Sequence, residues 1–130
     1  MPNNKRYDPL TRAGEFRLKL YPSNYQKCLE FYRDVLSFPI TSQWSRPKDK
    51  GVMFDTGAGI IELLYSGRQK KSGGCDISLE VKDVWKLFDA LKPDTKIIFQ
   101  LRNNTWGDTS FCIADPAGFQ ITFFTKTKSK

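Results

Sequence analysis

The chain has 130 residues, 39% of them apolar and 27% charged, enough for one ordinary domain with its own core and no need of a disulfide or metal staple. Its net charge of +7 gathers at the ends and in loops (Lys5, Arg6, Arg12, then Arg68, Lys70, Lys71, then Lys126, Lys128, Lys130), with no recognition helix or basic-aromatic motif beside it. No specific nucleic-acid partner is therefore expected, although such a surface favours small anionic ligands, and the lack of any long apolar run or apolar signal segment points to the cytoplasm and away from membranes.

Residues 1–14 are polar, contain Pro2, Pro9 and Gly14, and read as a loose arm or an edge extension. From Glu15 to Tyr21 the pattern alternates, which predicts a half-buried strand with Phe16, Leu18 and Leu20 on the face under a helix and Arg17 and Lys19 on the other. Pro22-Ser23-Asn24 breaks it. Tyr25 to Leu36 then sets Cys28, Leu29, Tyr32, Val35 and Leu36 at helical spacing, with Ser23 or Asn24 as N-cap. Strands are expected at Pro39 to Trp44, Gly51 to Asp55 and Gly59 to Tyr65, separated by turn-rich segments. Residues 66–74, rich in Gly, Ser and Lys, cannot pack a core and read as a linker.

The second half repeats the order of the first. Asp76 to Val81 alternates. Asp83 is placed to cap a helix carrying Val84, Leu87, Phe88 and Leu91 on one face, and Pro93 follows its end. Strands are expected at Thr95 to Leu101, Thr109 to Ala114 and Phe119 to Thr125. The last two flank Asp115-Pro116-Ala117-Gly118, in which Pro pre-sets one backbone angle and Gly accepts a positive one. The organisation is thus one α+β domain over 15–125: module one 15–65, linker 66–74 and module two 75–125, each module a strand, a helix and three strands, followed by a basic tail over 126–130. Cys28, Cys75 and Cys112 fit neither a disulfide framework nor a zinc spacing; Cys28 and Cys112 read as packing residues and Cys75 as an exposed thiol.

Side chains alternate across a strand, so assigning the apolar face to the helices leaves the other face for a cleft. That face receives Arg17 and Lys19, then Ile60, Glu62 and Leu64, then Asp76, Ser78 and Glu80, and finally Gln120, Thr122 and Phe124. The same alternation is equally that of an ordinary sheet with one solvated face. Trp44, Phe54, Phe99, Trp106 and Phe111 fall in or near the strands that would wall the cleft. Phe54, Phe99 and Phe111 suit a core at least as well, whereas Trp44 and Trp106 have polar neighbours at strand ends.

The segment Leu29-Glu30-Phe31-Tyr32-Arg33-Asp34-Val35-Leu36-Ser37-Phe38, together with Trp106-Gly107-Asp108 and the Asp115 to Gly118 turn, resembles the glyoxalase/bleomycin-resistance family of the vicinal oxygen chelate superfamily, over about Glu15 to Thr125. The resemblance implies two βαβββ modules forming a curved mixed sheet around a cleft, helices outside, and a homodimer whose clefts draw on both subunits. In the family's metal enzymes four cleft positions supply the ligands, and alignment puts them at Arg17, Glu62, Asp76 and Thr122. Arg17 is a cation without a lone pair, Thr122 is a weak neutral ligand, and the chain contains no His, so neither a metal nor another cofactor is expected. Arg17 is expected instead to pair with Glu62, Asp76 or both.

The reading that follows is a binding protein of the bleomycin-resistance type, which sequesters or senses a small organic molecule without changing a bond. Its candidate ligand-binding residues are Arg17, Lys19, Trp44, Glu62, Asp76, Trp106, Phe111 and Thr122, and no catalytic residue is assigned. The alternative is a metal-dependent lyase, isomerase or dioxygenase with an atypical site; without a metal, general acid-base chemistry would fall to Glu62 or Asp76.

Overall fold

In a computed structural model, which describes residues 14–69 and 75–127, each half is a strand, a helix and three further strands. Module one contains β1 (Arg17–Leu20), α1 (Tyr25–Glu30) running into a π-helical turn (Phe31–Val35), β2 (Ile40–Arg46), β3 (Asp49–Asp55) and β4 (Ile60–Tyr65). Module two contains β5 (Asp76–Glu80), α2 (Val84–Leu91) with a short 3-10 turn (Lys92–Asp94), β6 (Lys96–Asn104), β7 (Asp108–Ala114) and β8 (Gln120–Lys126). Residues 1–13, 70–74 and 128–130, which hold most of the expected arm, linker and tail, lie outside the described residues.

Each module makes its own four-stranded mixed sheet, ordered β1-β4-β3-β2 and β5-β8-β7-β6. The first strand of each lies parallel to the last, β1 beside β4 and β5 beside β8, because the intervening helix carries the chain across the sheet before it returns. The remaining neighbours are antiparallel.

Both helices and the helix-side faces of both sheets bury one continuous core. Module one contributes Tyr32, Phe54, Ile61 and Leu63, and module two contributes Phe111, Ile113, Ile121 and Phe123, all at most 3% exposed. Each such side chain stabilises by about 1.5–3 kcal/mol relative to exposure. The halves are also joined by polar contacts at the Asp115 turn. The Tyr32 hydroxyl donates to Asp115 at 2.7 Å, and the Asn24 amide donates to the Pro116 carbonyl at 3.0 Å. Asp115 also accepts from the backbone of Ala117 and Phe119, and Gly118 takes φ 93°, so the hairpin turn is built as its sequence predicts.

Helix α2 starts as expected, with the Asp83 carboxylate accepting from the Lys86 amide at 2.9 Å. Helix α1 does not: Asn24 occupies the N-cap position, but its side chain is spent on Pro116 and makes no cap bond. Two further expectations are corrected. Phe16 precedes β1, escapes its alternation and is 65% exposed instead of lying under a helix. Phe111, expected to wall a cleft, is fully buried on the helix side, its ring 5.1 Å from Phe88 and 5.5 Å from Phe123. Its register partner Phe123 fixes that parity, because residues directly opposite on neighbouring strands share a face.

Candidate functional site

The face of module two turned away from the core holds a hollow of about 430 Å³, with Ser78 from β5, Ser110 from β7, and Thr122 and Phe124 from β8 on its floor. Its far wall is β6 and the turn after it: Phe99, Arg102, Asn104, Trp106 and Asp108. Strand β6 reaches the hollow by breaking its own alternation. Register shifts between Ile97 and Phe99, and again between Phe99 and Arg102, turn Phe99 and Arg102 onto one face opposite Cys112 and Ser110, while Ile97 and Leu101 pack against the core. The Arg102 guanidinium carbon then sits 3.7 Å from the centre of the Phe99 ring. This is a stacked cation on an aromatic face.

A polar frame holds the rim. Asn104 donates to the Asp108 carboxylate at 2.7 Å and to the Ser110 hydroxyl at 2.9 Å, and the Trp106 indole N–H donates to the other Asp108 oxygen at 3.1 Å. Gly107, at φ 103°, supplies the positive angle the Trp106 turn requires. Trp106 is 73% exposed, so one edge is anchored while its faces are open. Beneath the floor, burial pushes the Cys112 thiol up, with the Asp76 carboxylate acting in the same direction and Thr122 and Arg102 against it. A raised thiol is protonated at neutral pH and is no nucleophile.

The corresponding face of module one presents Arg17, Lys19, Glu62, Met53, Trp44 and Gly51 in register across the four strands. Trp44 lies over Gly51, and a Cβ at that position would overlap its Cζ2. Its indole N–H donates to Asp49 at 3.3 Å, and Arg46 donates to the other Asp49 oxygen at 2.9 Å. These two bonds, Arg46's first, hold the Asp49 carboxyl below its usual range. Glu62 is only 6% exposed, and its Oε1 has no hydrogen-bond partner among the described residues.

The expected site residues are thus divided. Trp106 and Thr122 share the module-two hollow, with Asp76 at the exposed edge strand of the same sheet. Arg17, Lys19, Trp44 and Glu62 belong to the other sheet and do not line this hollow. Arg17 does not pair with Glu62 or Asp76: its Nε donates to Glu15 at 2.7 Å, two residues back and just before β1. Arg102, Asn104, Asp108 and Ser110 are not among the residues the sequence nominates, because its alternation ends this strand at Leu101 and a bulge leaves no mark in composition. The Asn104, Gly107 and Asp108 turn chemistry was the available signal.

A metal does not fit the four aligned positions. Among the described residues no three His, Cys, Asp or Glu side chains come close enough to hold an ion, and Arg17 offers no lone pair. Glu62 and Asp76 sit on separate sheets, each the only carboxylate of its aligned pair.

Comparison with protein-family models matches residues 16–123 to the Glyoxalase/Bleomycin resistance protein/Dioxygenase superfamily. The chain belongs to this superfamily. Among solved structures it resembles TnmS3, an antibiotic binding protein from Streptomyces sp. CB03234, at TM-score 0.72 and 15% identity over 90% of this chain and 98% of that one. A superfamily member from Sphaerobacter thermophilus DSM 20745 matches at 0.72 and 20% identity, over 88% and 98%. A lactoylglutathione lyase from Agrobacterium tumefaciens matches at 0.67 and 17% identity, over 88% and 95%. A binding protein and an enzyme share this fold, so the likeness speaks for architecture alone. No curated protein matches the sequence, and no helix among the described residues is long and apolar enough to cross a membrane.

Proposed function

We propose that this superfamily member reversibly binds a small, planar organic molecule in the module-two hollow, without a metal and without changing a bond. The observation that carries this reading is the hollow itself: open Trp106 faces and the Phe99–Arg102 stack surround a floor of hydroxyls from Ser78, Ser110 and Thr122. Flat rings supply stacking area, and the hydroxyls orient polar substituents. Antibiotic binding by the similarly folded TnmS3 is consistent with such a role. We further propose a homodimer in which a second copy covers the hollow with its module-one face, the flat Trp44 ring and the unpartnered Glu62 oxygen then meeting the ligand from the other side. Lys19, beside Glu62 in the ladder, belongs to that face. The second reading, catalysis, draws on Glu62, since a buried carboxylate oxygen without a partner is available to take a proton.

Titration with a panel of planar aromatic compounds, followed by mass analysis of the recovered compound, separates the two. Binding should be saturable, the compound should return unchanged, and Trp106→Ala should weaken binding by about two- to tenfold, the worth of one stacked ring. Conversion of the compound would replace binding with catalysis.

A further inference from the structure

We infer that the molecule bound in the module-two hollow is an anion: a planar ring bearing a carboxylate, phenolate or similar acidic group, anchored by Arg102. This rests on the binding reading above and narrows its ligand class. Arg102 is the cation of the hollow, and among the described residues it has no acidic partner. Its guanidinium carbon sits 3.7 Å from the centre of the Phe99 ring, and a guanidinium that stacks on a ring keeps its in-plane N–H fork for a bidentate acceptor. The nearest carboxylate in the same wall, Asp108, has both oxygens occupied, one by Asn104 and one by Trp106. Outside the lining, Lys126 stands across the ladder from Asp108, and the carboxylates of Asp76 and Glu80 share the same face on the edge strand β5, so among the described residues Arg102 is the one charged group of the lining free to meet a ligand's charge. The remaining polar groups of the floor, Ser78, Ser110 and Thr122, are neutral. A cationic ring would be repelled by Arg102 and would find in Asp108 a carboxylate already held in place by Asn104 and Trp106, whereas an acidic ring finds both its stacking surface and its counter-ion. The register shifts of β6 are what bring these together, since an unbroken strand would point Phe99 to the core side with Ile97 and Leu101.

The test uses three probes of one shape at neutral pH: naphthalene-1-carboxylate, 1-naphthalenemethanol and 1-naphthylmethylamine. Each is titrated into the full chain while the Trp106 indole N–H resonance is followed, that resonance being assigned by its loss in Trp106→Phe. The carboxylate should bind about tenfold more tightly than the alcohol, as befits a charge-assisted hydrogen bond at an open site, and the amine most weakly. Added salt should weaken the carboxylate alone. Arg102→Gln should weaken the carboxylate about tenfold relative to the alcohol and so remove the preference, and Arg102→Lys should retain part of it. Equal binding of alcohol and carboxylate, tightest binding of the amine, or a carboxylate affinity indifferent to Arg102→Gln overturns the anionic assignment while the hollow stands as a ring-binding site. If no probe moves the Trp106 resonance, both readings fall.

Discussion

Tyr32 is a residue on which the two halves depend, because its ring is fully buried between Phe31, Phe38 and Phe54 and its hydroxyl serves Asp115 across the module boundary. Burial raises the Asp115 pKa above 3.8, and the donors from Tyr32, Phe119, Ala117 and Gly118 oppose that rise. The folded protein thus holds the Asp115 proton to higher pH than the unfolded chain, so the stability owed to this group is complete below 3.8 and declines as pH rises through the folded value. Tyr32→Phe withdraws one opposing donor and leaves the Asp115 Oδ2 without that partner, which destabilises by about 1–3 kcal/mol at neutral pH. Urea melts of both proteins should show that gap at pH 7 and a smaller one near pH 4. A gap that widens in acid would contradict the assignment. This pairing was not legible in the sequence: Tyr32 and Asp115 were each placed, one on a helix and one in a turn, but their meeting is a long-range fact of packing.

Elements differ in how far their own residues specify them. Helix α2 was legible from Asp83 and the spacing of Val84, Leu87, Phe88 and Leu91, and β4, β5 and β8 were legible from their alternation, because both signals are local. Helix α1 ends in a π turn, with Leu36 donating to the Phe31 carbonyl, which no spacing of apolar residues announces. Strand β6 was misread at the site for the same reason: its register shifts decide whether Phe99 joins the core or the hollow, and they depend on pairing with β7. The β2–β3 hairpin shows pairing of a different kind, in which Trp44 opposes Gly51 and lies across it. Gly51→Ala should displace that ring, destabilising by about 1–3 kcal/mol through overpacking and altering the near-ultraviolet circular dichroism. In a Trp44→Ala background the same substitution should be close to neutral, so the double-mutant cycle should show strong coupling. Additive effects would mean that the ring rests elsewhere.

For the whole molecule, the superfamily fold supplies two sheet faces built alike and equipped differently. Module two carries the hollow with Arg102 and Trp106, while module one carries a ring over Gly51 and the unpartnered Glu62 oxygen. The proposed second copy would bring the two faces together, and sedimentation equilibrium should then give twice the chain mass at micromolar concentration; a monomer across that range would remove the shared cleft. The fold was legible because it is written twice in the order of elements. The placement of the site was not, since alternation assigns faces but does not say which face lies opposite which. That placement is tested most directly by mapping amide and indole resonances as naphthalene-1-carboxylate is added to the labelled protein. Shifts should centre on Phe99, Arg102, Asn104, Trp106, Ser110 and Thr122 and saturate together. Shifts centred instead on the groove beside Phe16 and Ile77, or on the Asp115 turn, would contradict that placement.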